Sequence, residues 1–334
     1  MSAPATTQES IAVAAAAYLH LDKTERIASQ LHIQLSSHSY MPRVDDLQSD
    51  WVSHVAAPAF RLFRQRRGGA AIEAFCSIGT GSGLDVLTAI ELLAATRVGL
   101  TDVHEEVVAT AIGNVRRNLR PPHAVTIAAG FGDLLSPLAS YGSRYDLIYE
   151  NLPNVPLQNA EAIAEKRVSS AYVPPRKEAL PGLVKQKMLD LHFLALQQSP
   201  GFLRPGGSVL SCLGARVPLQ VFLSLGELAG FSSSILTYGW KVQDDASLIQ
   251  AYAQHQENGY GPFHYYRADQ LQRVFSAIDP ATSGAEAQRI ERELQPLQLD
   301  PVAAIRAHEA GERIGHTVAV LESRLESGLE SRLA

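Results

Sequence analysis

The chain reads as a doubly wound α/β protein, and three observations predict it. Short apolar runs alternate with helical stretches from residue 70 onward, a glycine-rich bend joins the first run to a helix, and an acid closes the second run. Strands of a parallel sheet are covered on both faces, so they are short and apolar throughout rather than alternating. Such runs place strands at about 71–78, 97–102, 124–129, 145–149 and 208–214, with helices at about 85–95, 105–119 and 183–198. Residues 232–242 and 263–266 look like an antiparallel pair that closes the sheet.

The flanks are expected to be helical. Residues 11–18 are Ala-rich, 24–35 follow as a second segment, and 47–67 set Trp51, Val55, Phe60 and Phe63 on helical spacing before Gly68-Gly69. From Ala268 the chain turns polar and helical again, with a heptad-like stripe at Ile314, Val318, Leu321 and Leu325 that suits a packed helix or a homodimer seam. The expected division is a helical N-terminal lid over 1–69, a ligand-binding domain over 70–267 and a helical extension over 268–334.

The totals exclude several function classes. A net charge of −5 removes the usual electrostatic case for a nucleic-acid partner. Arg61, Arg64, Arg66 and Arg67 fall in the last turns of a helix, where cations complement the dipole. The two cysteines, Cys76 and Cys212, sit inside apolar runs and read as buried thiols of a reducing compartment. No apolar stretch resembles a leader or a membrane span, so a cytoplasmic protein without a membrane partner is expected. No Cys, His or carboxylate spacing suggests a metal.

The sharpest local pattern is FCSIGTGSGLD, residues 75–85. Gly79 lets the chain turn sharply, Gly81 lets a ligand approach the backbone, and Gly83 permits close packing, with Ser77 and Thr80 lining the same bend. The helix that follows offers free N–H groups. Dinucleotide-binding bends use G-x-G-x-x-G/A, which position 84, a leucine, does not satisfy. The second run, VGLTDVH, ends at Asp102 and Val103; an acid there can accept hydrogen bonds from both ribose hydroxyls, or cap the helix that begins near Glu105. Asp133 follows Gly132 and lies close to Phe131, where it could accept from an adenine amine or simply form a turn.

The fourth run, RYDLIYENLPNVP, carries the candidate chemistry. Asn151 suits a hydrogen bond from an amine whose lone pair is aimed at an electrophile, and Pro153 stiffens the loop. Tyr172 and Arg176, from residues 168–176, and the aromatic-rich 252–266 could line an acceptor pocket. Arg176 could clamp a carboxylate with two hydrogen bonds.

In order and spacing, Ser77 through Gly83, Asp102, Gly132-Asp133, residues 150–154 and residues 203–211 resemble the motifs of class I S-adenosylmethionine-dependent methyltransferases. The resemblance covers about residues 70–240. It implies a Rossmann-like seven-stranded sheet and S-adenosylmethionine held by Gly79, Gly81, Gly83, Asp102 and Asp133. Asn151 to Asn154 is similar to the Asn-Pro-Pro-Tyr signature of glutamine and adenine N-methyltransferases, with Leu152 for the first proline and Asn154 for the tyrosine. Those departures point away from protein-glutamine and nucleobase targets, toward a small molecule methylated at an amine nitrogen. The family's usual acid two residues before the first glycine is Ser77 here. Tyr172, Tyr238, Trp240, Tyr265 and Tyr266 are candidates to face the sulfonium.

Two other readings stand beside this one. Azetidine-2-carboxylate synthases use the same scaffold to let the cofactor's own amine attack its γ-carbon and release methylthioadenosine, and Ser77 in place of the acid suits that chemistry. A non-catalytic nucleotide-binding or interaction protein, docking through its C-terminal helices, is the third.

Overall fold

The computed structural model describes residues 9–121, 123–156, 172–173, 176–243 and 245–325. The N-terminal part departs from expectation. Two strands, β1 (Glu9–Ala14) and β2 (Gln30–Leu35), pair antiparallel where helices were expected, with only a four-residue helix, α1 (Ala15–Tyr18), between them. The reason lies in the alternation of QLHIQL: Leu31, Ile33 and Leu35 point inward while Gln30 and His32 stay exposed. Helix propensity lost to period-two burial. Residues Leu47–Ser49 and Val52–Ala56 wind irregularly into α2 (Ala57–Arg66), which keeps Phe60 and Phe63 buried as the sequence pattern predicts.

This module is pinned rather than loosely laid on. Glu91 accepts hydrogen bonds from the backbone N–H groups of Glu25, Arg26 and Ile27, while Asn118 and Asn114 accept from His32 and Gln34. Side chains of the helical layer thus satisfy backbone donors of β2 and of the bend that precedes it.

The central sheet follows the expected plan. Its strands are β3 (Ala74–Ile78), β4 (Arg97–Asp102), β5 (Thr126–Phe131), β6 (Tyr145–Glu150), β9 (Leu203–Ala215), β10 (Phe231–Val242) and β12 (Ile314–Leu325). They lie in the order β10-β12-β9-β6-β3-β4-β5. The order reverses at β3, between β4 and β6, which makes the crevice above β3 the switch point of a doubly wound sheet. Short two-residue strands β7 (Val155–Pro156) and β8 (Tyr172–Val173) pair apart from it, and β11 (Tyr266–Arg267) attaches to β12.

Helices cover both faces. α3 (Leu84–Leu92) and α4 (Glu105–Asn118) pack with the N-terminal module over Phe75, Leu147, Tyr149, Leu210 and Cys212. The other face carries Cys76, Ile78, Ile148, Val209 and Leu213 under α6 (Asp190–Gln198) and α7 (Leu219–Leu228), α5 (Gly182–Gln186) being a short turn before them. The helix expected over 183–198 is therefore broken at Lys187–Leu189, with Met188 in a left-handed conformation. Both cysteines are buried and free.

The C-terminal part holds α8 (Ala246–Glu257), α9 (Ala268–Phe275), α10 (Ser283–Leu294) and α11 (Pro301–Glu309). The stripe Ile314, Val318, Leu321 and Leu325 is not helical: it belongs to β12, which runs antiparallel between β9 and β10. The partner of residues 232–242 is consequently β12, not 263–266. Valine, isoleucine and threonine in IGHTVAVLE prefer strands, and burial on both faces removes the alternation of a half-exposed strand, so its apolar residues can fall on heptad spacing. Ile314, Val318 and Leu321 lie inside the sheet, so they form no seam for a second copy. No helix among the described residues is long and apolar enough to cross a membrane.

Candidate active site

The glycine bend forms at the carboxyl end of β3. Gly79, Gly81 and Gly83 have φ of +69°, +52° and +80°, a region that side chains other than glycine's seldom adopt. The N–H groups of Gly79 and Thr80 both donate to the Thr101 carbonyl at 2.9 Å, which ties the bend to β4. A Cβ on Gly79 would stand 3.0 Å from Leu152 Cδ2, and one on Gly83 3.3 Å from Ala111 of α4. A Cβ on Gly81 would meet nothing within 4 Å. Gly79 and Gly83 therefore serve packing, while Gly81 borders open space.

Asp102 turns into this bend. Its Oδ2 accepts from the Gly81 N–H at 3.2 Å and its Oδ1 from the His104 N–H at 3.2 Å. Burial raises its pKa above the ordinary carboxylate value. Beside it, Val103 is 62% exposed and Phe131 is 56% exposed, and Phe131 stands opposite Asp102 in the β4–β5 register. Two exposed apolar side chains at adjacent strand tips next to a carboxylate make a place for a flat, amphipathic ring. Gly132 continues the rim, its N–H donating to the Asp102 carbonyl at 2.9 Å.

Ser77 is fully buried, and its hydroxyl donates to Asp85. Asp85 also accepts from the Val86 N–H at 2.8 Å and from Thr80 at 3.3 Å. Burial pushes its pKa up to about 6 against these stabilising donors. A carboxylate thus stands beside Ser77, supplied from the first turn of α3 rather than from β3. Sequence spacing hid it, because the pairing skips eight residues; the adjacent Leu84-Asp85 was legible only as a helix start.

Asp133 and Arg176 meet each other. Arg176 donates Nη1 to Oδ1 at 2.6 Å and Nη2 to Oδ2 at 3.2 Å, and it also reaches Glu178. Gln198 adds a hydrogen bond to Asp133 at 3.3 Å. The guanidinium read as a clamp for a substrate carboxylate here clamps two of the chain's own acids. Tyr172 is placed by its backbone opposite Val155 in the β7–β8 pair; its side chain, and residues 168–171, lie outside the described residues.

At the end of β6, Asn151 is half-buried and Glu150 fully buried. Glu150 accepts from Nδ1 of His192 on α6 at 2.8 and 2.9 Å, and from the Leu152 N–H at 3.3 Å. Nε2 of His192 has no partner among the described residues. Asn154 donates to the Met188 carbonyl at 3.1 Å. The loop that carries Asn151 is therefore braced from both sides, by the buried Glu150–His192 pair and by Leu152 against Gly79.

A second group of residues escaped the sequence reading. Glu150 lies opposite Ser211, yet β9 continues to Ala215 and pairs there with Thr317 of β12. Four further residues at about 3.3 Å each lift this half of the sheet about 13 Å past the tip of β6. On that overhang sit Arg216, Lys241 and His316, all buried, with Trp51 packed over Lys241 at 4.9 Å. Tyr265, once a candidate to face a sulfonium, instead flanks Arg216, and Tyr238 and Tyr266 lie in the core.

No family model matches the chain, and no curated protein matches it. Solved structures do. A methyltransferase from Pyrococcus furiosus is 18% identical over 54% of this chain and 76% of its own, with a TM-score of 0.36. The cyclopropane synthase of Mycobacterium tuberculosis is 13% identical over 81% of this chain and 84% of its own, with a TM-score of 0.36. These likenesses are too distant to speak of activity, and the fold rests on the strand order itself. A seven-strand path that reverses at β3, with a left-handed glycine bend at that point and an acid on the next strand tip, gives the protein a Rossmann-like fold.

Proposed function

We propose that the protein is an S-adenosylmethionine-dependent methyltransferase acting on a small molecule at an amine nitrogen. The observation that carries this reading is the bend: open space over Gly81, Asp102 turned into it, and Val103 and Phe131 exposed beside it. Gly79, Thr80, Gly81, Gly83, Asp102 and Val103 would hold the adenosyl part, with Gly132 and Asp133 at the rim. Ser77 and Asp85 would face the amino-acid end, where a buried carboxylate favours an ammonium. The bound cofactor supplies a methyl group on a sulfonium, a carbon already activated for displacement.

What the chain adds is orientation and the exclusion of water, effects that reach roughly 7–11 kcal/mol in well-aligned cases. Asn151 accepts a hydrogen bond from the amine and so fixes the direction of its lone pair. Glu150 and His192 keep the Asn151 loop from turning away. Asp85 beside Ser77 weighs against the cyclising alternative, one of whose grounds was the lack of an acid there. The interaction-module reading relied on a terminal helix that is β12.

Two measurements test the proposal together. Calorimetry with S-adenosylhomocysteine should give a dissociation constant roughly in the micromolar range. Incubation with S-adenosylmethionine alone should release no methylthioadenosine, whereas added amines should yield S-adenosylhomocysteine. No binding of S-adenosylhomocysteine would sink the cofactor assignment. Methylthioadenosine without an acceptor would replace methyl transfer with cyclisation.

A further inference from the structure

Arg216 lies on the overhang beyond β6 and is 6% exposed. Its Nη2 donates to Gln243 Oε1 at 2.6 Å, its guanidinium lies 4.7 Å from the ring centre of Tyr252 and 5.4 Å from that of Tyr265, and its Nε has no partner. No carboxylate pairs with it among the described residues. Burial opposes the charge, and what favours it is the pair of tyrosine rings rather than a carboxylate. The neighbouring histidines add no counter-charge. His264 is held down to about 4 and His316 well below its ordinary value, in both cases first by burial and then with help from the Arg216 charge. Nε2 of His316 is also buried without a partner.

The chain makes room for this arrangement. A Cβ on Gly214 would collide with Arg216 Nη1, at 2.3 Å, and would lie 3.6 Å from His316 Cε1. Gly214 has no positive φ, and the missing side chain leaves space that the guanidinium, folded back across β9, occupies. A planar donor held in place, with an Nε that lacks a partner and aromatic faces beside it, is what a carboxylate site needs, and it stands on the same edge of the sheet as Asn151.

We propose that Arg216 is the anchor for a carboxylate on the acceptor, so that the methylated molecule is an amine that carries a carboxylate. This rests on the methyltransferase reading above and names its substrate class. Cofactor and acceptor then meet from opposite sides of β6: the acids Asp85 and Asp102 on the side of β3 and β4, the guanidinium on the side of β9. Arg176, held by Asp133 and Glu178, is not needed for the role.

Benzoate and its neutral isostere benzamide are the probes, used on the full chain with and without saturating S-adenosylhomocysteine. At about ten times its dissociation constant benzoate should raise the melting temperature by roughly 2–4 °C, and benzamide should not. Arg216→Met should abolish the benzoate shift and leave S-adenosylhomocysteine affinity within about twofold; Arg216→Lys, which keeps the charge, should weaken benzoate about tenfold and covers the case in which the methionine variant does not fold. Equal shifts from benzoate and benzamide, a benzoate shift that survives both variants, or no benzoate effect at 50 mM would each overturn the proposal. A larger shift from inorganic phosphate than from benzoate would overturn the carboxylate in favour of a phosphate ester. Because the benzoate arm is also read without S-adenosylhomocysteine, failure of the cofactor assignment and failure of the anion site give different patterns.

Discussion

The two halves of the sheet's carboxyl edge carry opposite charge and were built by opposite means. Over β3 and β4 the chain bends on bare glycines and presents carboxylates, Asp102 half-open and Asp85 beneath it. Over β9, β12 and β10 it extends long strands past the edge and buries cations, Arg216 and Lys241, among tyrosines and Trp51. One half suits a cationic sulfonium and ammonium, the other an anion. The difference teaches that one sheet edge can hold two fields: under the proposed function each reactant would be drawn to the side where its charge is stabilised, with Asn151 between.

Breaking the acidic half should have the largest effect. On the proposed reading, Asp102→Ala removes the acceptor for the ribose hydroxyls, whose charge-assisted hydrogen bonds would be about 1.5–3 kcal/mol each, so S-adenosylhomocysteine affinity should fall at least tenfold to a hundredfold by calorimetry. Benzoate binding should be unchanged. If both ligands weaken equally, the halves are not separate and Asp102 acts through the fold.

Asp85 offers a sharper division of labour. Its folded pKa, about 6, lies above the ordinary 3.8, so the folded state keeps a proton that the unfolded chain releases between those values. The contribution to stability is full below about pH 4 and lost as pH rises through 6, leaving a cost on the order of 3 kcal/mol at neutral pH. Asp85→Asn should therefore raise the melting temperature at about pH 7.5, flatten the decline between pH 4 and 6, and weaken S-adenosylhomocysteine about tenfold. Retained affinity in this variant would reduce Asp85 to a brace for the bend.

The same contrast explains what was legible in the sequence. The acidic half is local: Gly79, Gly81 and Gly83 fall within five residues, Asp102 closes the adjacent strand, and the bend's geometry follows from glycine's freedom. The basic half is assembled from Trp51, Arg216, Lys241 and His316, which come together only through the β9–β12–β10 pairing. That pairing was hidden because β12 is buried at nearly every position, polar residues such as His316 and Thr317 included, so a period of two left no trace and four of its residues fell on a heptad by chance. In the N-terminal module the opposite held: Leu31, Ile33 and Leu35 alternate openly, and Ala-rich propensity nearby obscured a readable pattern. Asp85 beside Ser77 was out of reach for a third reason, since a helix's first turn can return a side chain to the strand before it, and no spacing rule records that.

The smallest expected effect tests the rim of the acidic half. Val103 is exposed, so Val103→Ser removes almost no buried area, and the melting temperature should stay within about 1–2 °C, the range for surface substitutions. If the side chain is there to cover a flat ring, its loss should still weaken S-adenosylhomocysteine about threefold to tenfold, corresponding to roughly 30–50 Å² of apolar contact at about 25 cal/mol per Å². Phe131→Ser, across the same gap, should act in the same direction and more strongly. The double variant should lose less than the sum of the two if both side chains press on one ring, because removing either lets the ring tilt toward the other. Strict additivity would mean that they touch different parts of the ligand, and unchanged affinity in both would mean that the ring lies elsewhere on the edge.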